Sequence, residues 1–158
     1  MVGKVIIIMA SGSDQPFVGT IGNALKNLGI DFEQRVASAH KTPKKLLQIL
    51  EDNENSSSIV YITVAGMSNA LSGFVDANTT HPVIACPPIA DGLVSLDIYS
   101  SLRMPKGVSP LVVLQPENSA VAAAKILATT DLKLRRRIET YQAELRQRVE
   151  KDDEKVKG

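Results

Sequence analysis

The sequence predicts a doubly wound, three-layer α/β/α domain on a parallel five-strand sheet, and three observations point there. The strand-like runs are nearly unbroken β-branched stretches, the pattern of strands buried on both faces rather than half-solvated. Loops of small, hydroxyl-bearing or capping residues follow the first three runs directly. Helical stretches then alternate with the strands along the chain. At 158 residues, the chain is long enough to bury roughly two thirds of its unfolded surface, so we expect one self-sufficient domain over 1–158.

Lys4 to Met9 is the first strand, and Ala10-Ser11-Gly12-Ser13-Asp14 follows it without a break. Small residues there let backbone approach a ligand, while Ser and Asp cap a helix from about Pro16 to Leu28. An ordinary strand-to-helix turn reads equally well from these residues alone. Gly29 ends the helix, and Asp31 to Ala37 forms a second strand delivering Ser38 to Pro43. Pro43 is a first-turn residue of a helix that packs Leu46, Leu47, Ile49 and Leu50 on the sheet.

Ser58 to Ala65 is the third strand, opening into a third small-residue loop, Gly66 to Gly73. Val83 to Cys86 is the fourth, stopped by Pro87-Pro88. Cys86 reads as a small core residue and His81 as a surface loop residue. Asp97 to Met104 is compatible with a helix, ended by Pro105-Lys106-Gly107. Leu111 to Leu114 is the fifth strand. An alanine-rich helix runs from about Ser119 to Thr129, and its small residues suit close packing on the sheet or on a neighbouring subunit. Asp131 caps a long final helix reaching about Asp153, with a tail free to fray. The expected strand order is the flavodoxin-like 2-1-3-4-5.

Eighteen Lys and Arg against 17 Asp and Glu give a formal charge of +1, so no general attraction to nucleic acid or to an acidic membrane arises. The basic cluster Lys133, Arg135, Arg136 and Arg137 is followed by acidic residues and reads as a solvated helix face. Val5 to Met9 is too short to span a bilayer and lacks the flanks of a signal peptide. With Cys86 as the one cysteine, no disulfide framework forms, which fits a reducing compartment such as the cytoplasm. No cysteine-clustered or His/Asp/Glu metal spacing is present, and no metal or cofactor is expected. The loops match neither the dinucleotide fingerprint nor the Walker pattern, nor is there a nucleophile elbow.

Three successive strands deliver polar loops to one sheet edge, where open α/β sheets hold phosphorylated ligands. The second loop is the richest, with a hydroxyl, an imidazole and an ammonium within a few residues. His40 can take and give a proton near neutral pH; helix capping is the bland alternative for the same residue. Proton transfer on a phosphorylated small molecule is the economical hypothesis.

Ser11-Gly12-Ser13-Asp14 and Ser38-Ala39-His40-Lys41-Thr42-Pro43 together resemble the 5-aminoimidazole ribonucleotide (AIR) carboxylases and mutases of purine biosynthesis, over essentially Val5 to Leu134. Lys41, Ser68 to Gly73, Asp97 to Pro105 and Pro116 to Ala120 look like the class II enzymes, which join AIR and CO2. Class I enzymes instead rearrange the N-carboxy isomer of AIR to the same product. Two positions depart from class II: Phe17 stands where a histidine is usual, and Met67 where an arginine is usual. Pro16 is more like class I.

The resemblance implies a carboxy-lyase, reversibly carboxylating AIR to 4-carboxy-AIR without ATP, with the class I isomerase as the alternative. A non-catalytic nucleotide-binding module is a more distant one. It also implies that Ser11, Ser38 and Lys41 hold the ribose phosphate, that Asp14 meets the ribose hydroxyls and that His40 moves the proton. Gly12, Ser13 and Ala39 would line the same loops. Gly66, Met67, Ser68, Asn69, Leu71, Ser72 and Gly73 would line the aminoimidazole and its carboxylate. A homo-octamer is implied, with a tetramer as the alternative.

Overall fold

The computed structural model describes residues 3–88 and 97–157. Five parallel strands form one sheet in the order β2-β1-β3-β4-β5: β1 (Lys4–Met9), β2 (Asp31–Val36), β3 (Ile59–Val64), β4 (Val83–Ala85) and β5 (Leu111–Val112). The helices are α1 (Gln15–Asn27), α2 (Pro43–Glu51), α3 (Ala70–Ala77), α4 (Tyr99–Leu102), α5 (Pro116–Leu127) and α6 (Leu132–Lys157).

The β-branched runs do what their composition demands. Side chains alternate across a strand, so Val5, Ile7 and Met9 enter one apolar layer with α1, α5 and α6. Ile6 and Ile8 enter the opposite layer with α2 and α3. All five are essentially inaccessible to water, and each such side chain contributes about 1.5–3 kcal/mol by leaving it. β2 is an edge strand and is only half covered; there Glu33 takes ion pairs from Lys4 at 2.6 Å and Arg35 at 3.0 Å. These two cations hold the Glu33 carboxyl below its usual range, through their hydrogen bonds first.

Ala120, Ala123 and Ala124 are fully buried in the first layer, where α5 lies against α1 and β3. The close packing that their size allows is thus made on this chain's own core. Gly29 closes α1 in the left-handed conformation, φ +64°, which glycine adopts without penalty. Its carbonyl accepts a 2.8 Å hydrogen bond from the Arg137 guanidinium on α6, tying one member of the basic cluster to the end of α1.

Several boundaries differ from the sequence expectation. The loop drawn from Gly66 to Gly73 ends at Asn69, because the Asn69 side chain accepts from the Ser72 N–H and starts α3 at Ala70. The 97–104 helix shrinks to the four residues of α4, with Pro105 close behind it. α5 starts three residues early, since Pro116 needs no N–H partner in a first turn. β5 pairs over two residues only, and β4 stops before Cys86. Asp131 caps α6 as expected, accepting from the Lys133 and Leu134 N–H groups. α6 continues to Lys157, beyond the expected end, with Lys155–Asp152 and Lys157–Asp153 ion pairs along its last turns. Cys86 is buried and its thiol is pushed up to about 11, burial being the main cause. His81, expected at the surface, is half-buried, with its ring 6.1 Å from that of Tyr61 and its Nε2 shielded from solvent.

Candidate active site

The register of the sheet builds the site. Met9 lies opposite Val36 on one side and Val64 on the other, so β1, β2 and β3 end flush. Adjacent strands run about 4.8 Å apart. The segments that follow, 10–14, 37–42 and 65–69, therefore emerge side by side, with the Ser11 loop in the middle. Backbone bonds carry the alignment one step past the strands: the Ala10 N–H donates to Val64 O at 2.9 Å and the Ala37 N–H to Met9 O at 3.0 Å.

The first loop is a single 3₁₀ turn, Gly12–Asp14, closed by a reciprocal cap. Ser11 Oγ accepts from the Ser13 N–H at 3.3 Å and from the Ser13 hydroxyl at 2.8 Å. Asp14 Oδ2 accepts from the Ser11 N–H at 3.2 Å. Partial burial raises the Asp14 carboxyl above its usual range, and the Ser11 hydrogen bond opposes that shift. Phe17 is half-buried against the core layer of α1 and α5.

The second loop also closes on itself. The Ser38 N–H donates to Thr42 Oγ1 at 2.9 Å, the Thr42 N–H to Ser38 O at 2.9 Å, and the Lys41 N–H to Ser38 Oγ at 3.2 Å. His40 and Lys41 are exposed at its tip, and neither side chain has a hydrogen bond or ion pair among the described residues. Ala37 is buried and Ala39 packs partly against the layer of α2. The Thr42 side chain thus serves the loop rather than capping α2.

The third loop is built differently. Met67 has φ +54°, the one left-handed non-glycine residue among those described, and its side chain is 79% exposed. Asn69 is buried and donates from Nδ2 to the hydroxyl of Ser101 at 2.9 Å. The Asn69 N–H donates to the hydroxyl of Ser100 at 2.9 Å. Both serines lie on α4, more than thirty residues along the chain. Gly66, Met67 and Ser68 reach the edge, whereas the Asn69 side chain is buried and turned to α4 and to the start of α3. Leu71 and Ser72 are buried inside α3, and a Cβ on Gly73 would come within 2.9 Å of Met104 Sδ. Leu71, Ser72 and Gly73 thus belong to α3 and lie beyond the loop itself. Nothing in the sequence assigned a role to Ser100 or Ser101; the only available signal was a pair of hydroxyls in a stretch already noted for its family resemblance.

This edge combines hydroxyls, an ammonium and helix starts suited to a phosphate, a carboxylate suited to a diol, and an exposed imidazole in the second loop. Among the described residues no group of three or more His, Cys, Asp or Glu could hold a metal ion, and no helix is long and apolar enough to cross a membrane.

Known proteins share the fold and much of the sequence. A phosphoribosylaminoimidazole carboxylase of Archaeoglobus fulgidus is 49% identical over 154 residues, covering 98% of this chain and 85% of the relative. An N5-carboxyaminoimidazole ribonucleotide mutase of Methanocaldococcus jannaschii is 40% identical, covering 97% of both chains. The crystal structure of Treponema denticola PurE superposes with a TM-score of 0.96 at 43% identity, over 99% of each chain. The profile of the AIR carboxylase family matches residues 4–148, and the chain belongs to that family.

Proposed function

We propose that this chain carboxylates AIR with CO2, reversibly and without ATP, giving 4-carboxy-AIR in purine biosynthesis. The observation that carries the reading is the flush ending of β1, β2 and β3, after which Ser11–Asp14, Ser38–Lys41 and Gly66–Asn69 leave one edge of the sheet side by side. The 49% identity to a relative named as a carboxylase supports it. Ser11, Ser38 and Lys41 hold the phosphate and Asp14 the ribose hydroxyls, with Gly12, Ser13 and Ala39 shaping the two loops. Amides of the third loop face the aminoimidazole and the carboxylate.

The ring carbon C4 of AIR is enamine-like and attacks the carbon of CO2, forming the C–C bond while one C=O π pair moves to oxygen. C4 then bears both hydrogen and carboxylate. Neutral His40 takes that hydrogen as a proton, and the C–H pair restores the aromatic ring. The imidazolium then returns its proton to water. Holding both reactants together away from water replaces activation by ATP.

The mutase reading has its own observations: Pro16 in the first turn of α1, which is more like class I, and the 40% identical relative named as a mutase. An ATP-free assay with AIR and varied bicarbonate, run beside one supplying the N-carboxy isomer, separates the two. Product that rises with dissolved CO2 is the expected result. Product from the isomer alone would replace the carboxylase with the mutase, and no product from either would leave a nucleotide-binding module.

The whole of 1–158 works as one domain in the cytoplasm and assembles as a homo-octamer. The exposed apolar side chains of Tyr99, Leu102, Leu111 and Leu114 are the surfaces that copies of the chain would cover. Sedimentation of the purified protein tests the assembly; a monomer at working concentration would remove it.

A further inference from the structure

Met67 occupies a backbone conformation that L-residues adopt at a cost, and a glycine would take it freely. Strain of this kind persists where surrounding contacts over-determine it, and it concentrates at functional sites. The contacts that do so here come from α4. The single proton of the Ser100 hydroxyl is shared between Asp97 O at 2.7 Å and Met67 O at 3.2 Å. The same oxygen accepts from the Asn69 N–H at 2.9 Å. Ser100 thus bonds both sides of the Met67–Ser68 turn. Next to it the Asn69 side chain is fixed at both ends, Nδ2 to Ser101 Oγ and Oδ1 to the Ser72 N–H. Asn69 and Ser101 are 3% and 2% exposed, whereas Met67 is 79% exposed. The strained residue faces water, Ser100 beside it is half-buried, and the Asn69–Ser101 pair behind them is dry.

The Gly66, Met67 and Ser68 N–H groups meet no acceptor among the described residues. A left-handed residue within such a run turns successive amides toward a common side, the arrangement by which backbone binds anions. We propose that Ser100 is a positioning residue for the reaction: by latching Met67 in its left-handed turn, it aims the third-loop amides at the carboxylate being transferred. This rests on the reading of the edge as the carboxylation site.

The test is a double-mutant cycle on the full chain, using AIR with bicarbonate or the N-carboxy isomer, whichever the unaltered protein turns over. Ser100→Ala is expected to lower kcat roughly 10- to 100-fold, as displacements of about 1 Å do, with KM for the nucleotide within about twofold because the phosphate loops are untouched. Ser100→Thr, which keeps the hydroxyl, restores most of the rate. In a Met67→Gly background the Ser100→Ala loss shrinks, since glycine needs no latch; two substitutions on one device are not additive. Hydrogen exchange at the Asn69 and Ser72 amides quickens in Ser100→Ala and not in Ser100→Thr. An unchanged kcat in Ser100→Ala, or an equal loss in both backgrounds, overturns the positioning role while the site reading stands. Inactivity of the unaltered chain on both substrates overturns the site reading and this role with it.

Discussion

The first two loops of the site and the third reach the same edge by opposite means. Residues 11–14 and 38–42 close through bonds that span two to four positions, so each loop carries its own shape. Residues 66–69 depend on hydroxyls 31 to 33 positions away. The contrast follows the chemistry proposed for each. A phosphate and a ribose need the same cradle at every stage, and a locally capped turn supplies a fixed one. The carboxylate changes partner during the reaction, and its loop is held from a separate element in a conformation that would otherwise relax.

The largest effect expected along this contrast lies in the second loop. His40→Asn should reduce turnover about 10²- to 10⁴-fold, the range for a lost acid–base group, while calorimetry shows AIR binding nearly intact. Binding lost together with turnover would make His40 part of the cradle instead. Next come the caps. Asn69→Ala removes a helix cap and strands the buried Ser101 hydroxyl, so it should cost about 1–3 kcal/mol in urea melts. Ser11→Ala removes one exposed cap and should cost about 1 kcal/mol. Equal costs would erase the distinction between a self-closed loop and one anchored at a distance.

The smallest effects are in pH. The folded state raises the Asp14 carboxyl, so it holds that proton more tightly than the unfolded chain does, and stability falls as pH rises through the carboxylate range. Asp14→Asn should therefore gain on the unaltered protein in melts taken from about pH 3 to pH 6. Glu33 is lowered, so its contribution is present above that range and lost on acidification. Glu33→Gln should show the reverse trend, of less than about 1 kcal/mol because the ion pairs are about a third exposed. Parallel trends for the two substitutions would contradict the burial assigned to Asp14.

What could be seen in the sequence follows the same division. The strands and the first two loops rest on local patterns: β-branched runs, Ser and Asp before a helix, Pro43 in a first turn; the strand order comes with the fold class those patterns imply. The start of α3 was hidden because Gly66 to Gly73 reads as a uniform small-residue stretch, and only the Asn69 side chain settles where the helix begins. Ser100 and Ser101 were hidden for a deeper reason, since no periodicity links α4 to a loop more than thirty residues earlier. Phe17 stood out as a departure from a motif, and its half-buried place against the core shows that packing takes at least part of that side chain.

The flush strand ends have a bearing on how such a protein can diverge. A strand rises about 3.3 Å per residue and turns successive side chains to opposite faces. One residue inserted into β2 would push His40 past its neighbours by that distance and exchange the buried and solvated sides of the strand. Substitutions outside the strands, such as those at positions 17 and 67, leave this alignment untouched. Diversity in this scaffold should therefore accumulate as exchanges at constant strand length, and gaps in comparisons among its relatives should fall outside 4–9, 31–36 and 59–64.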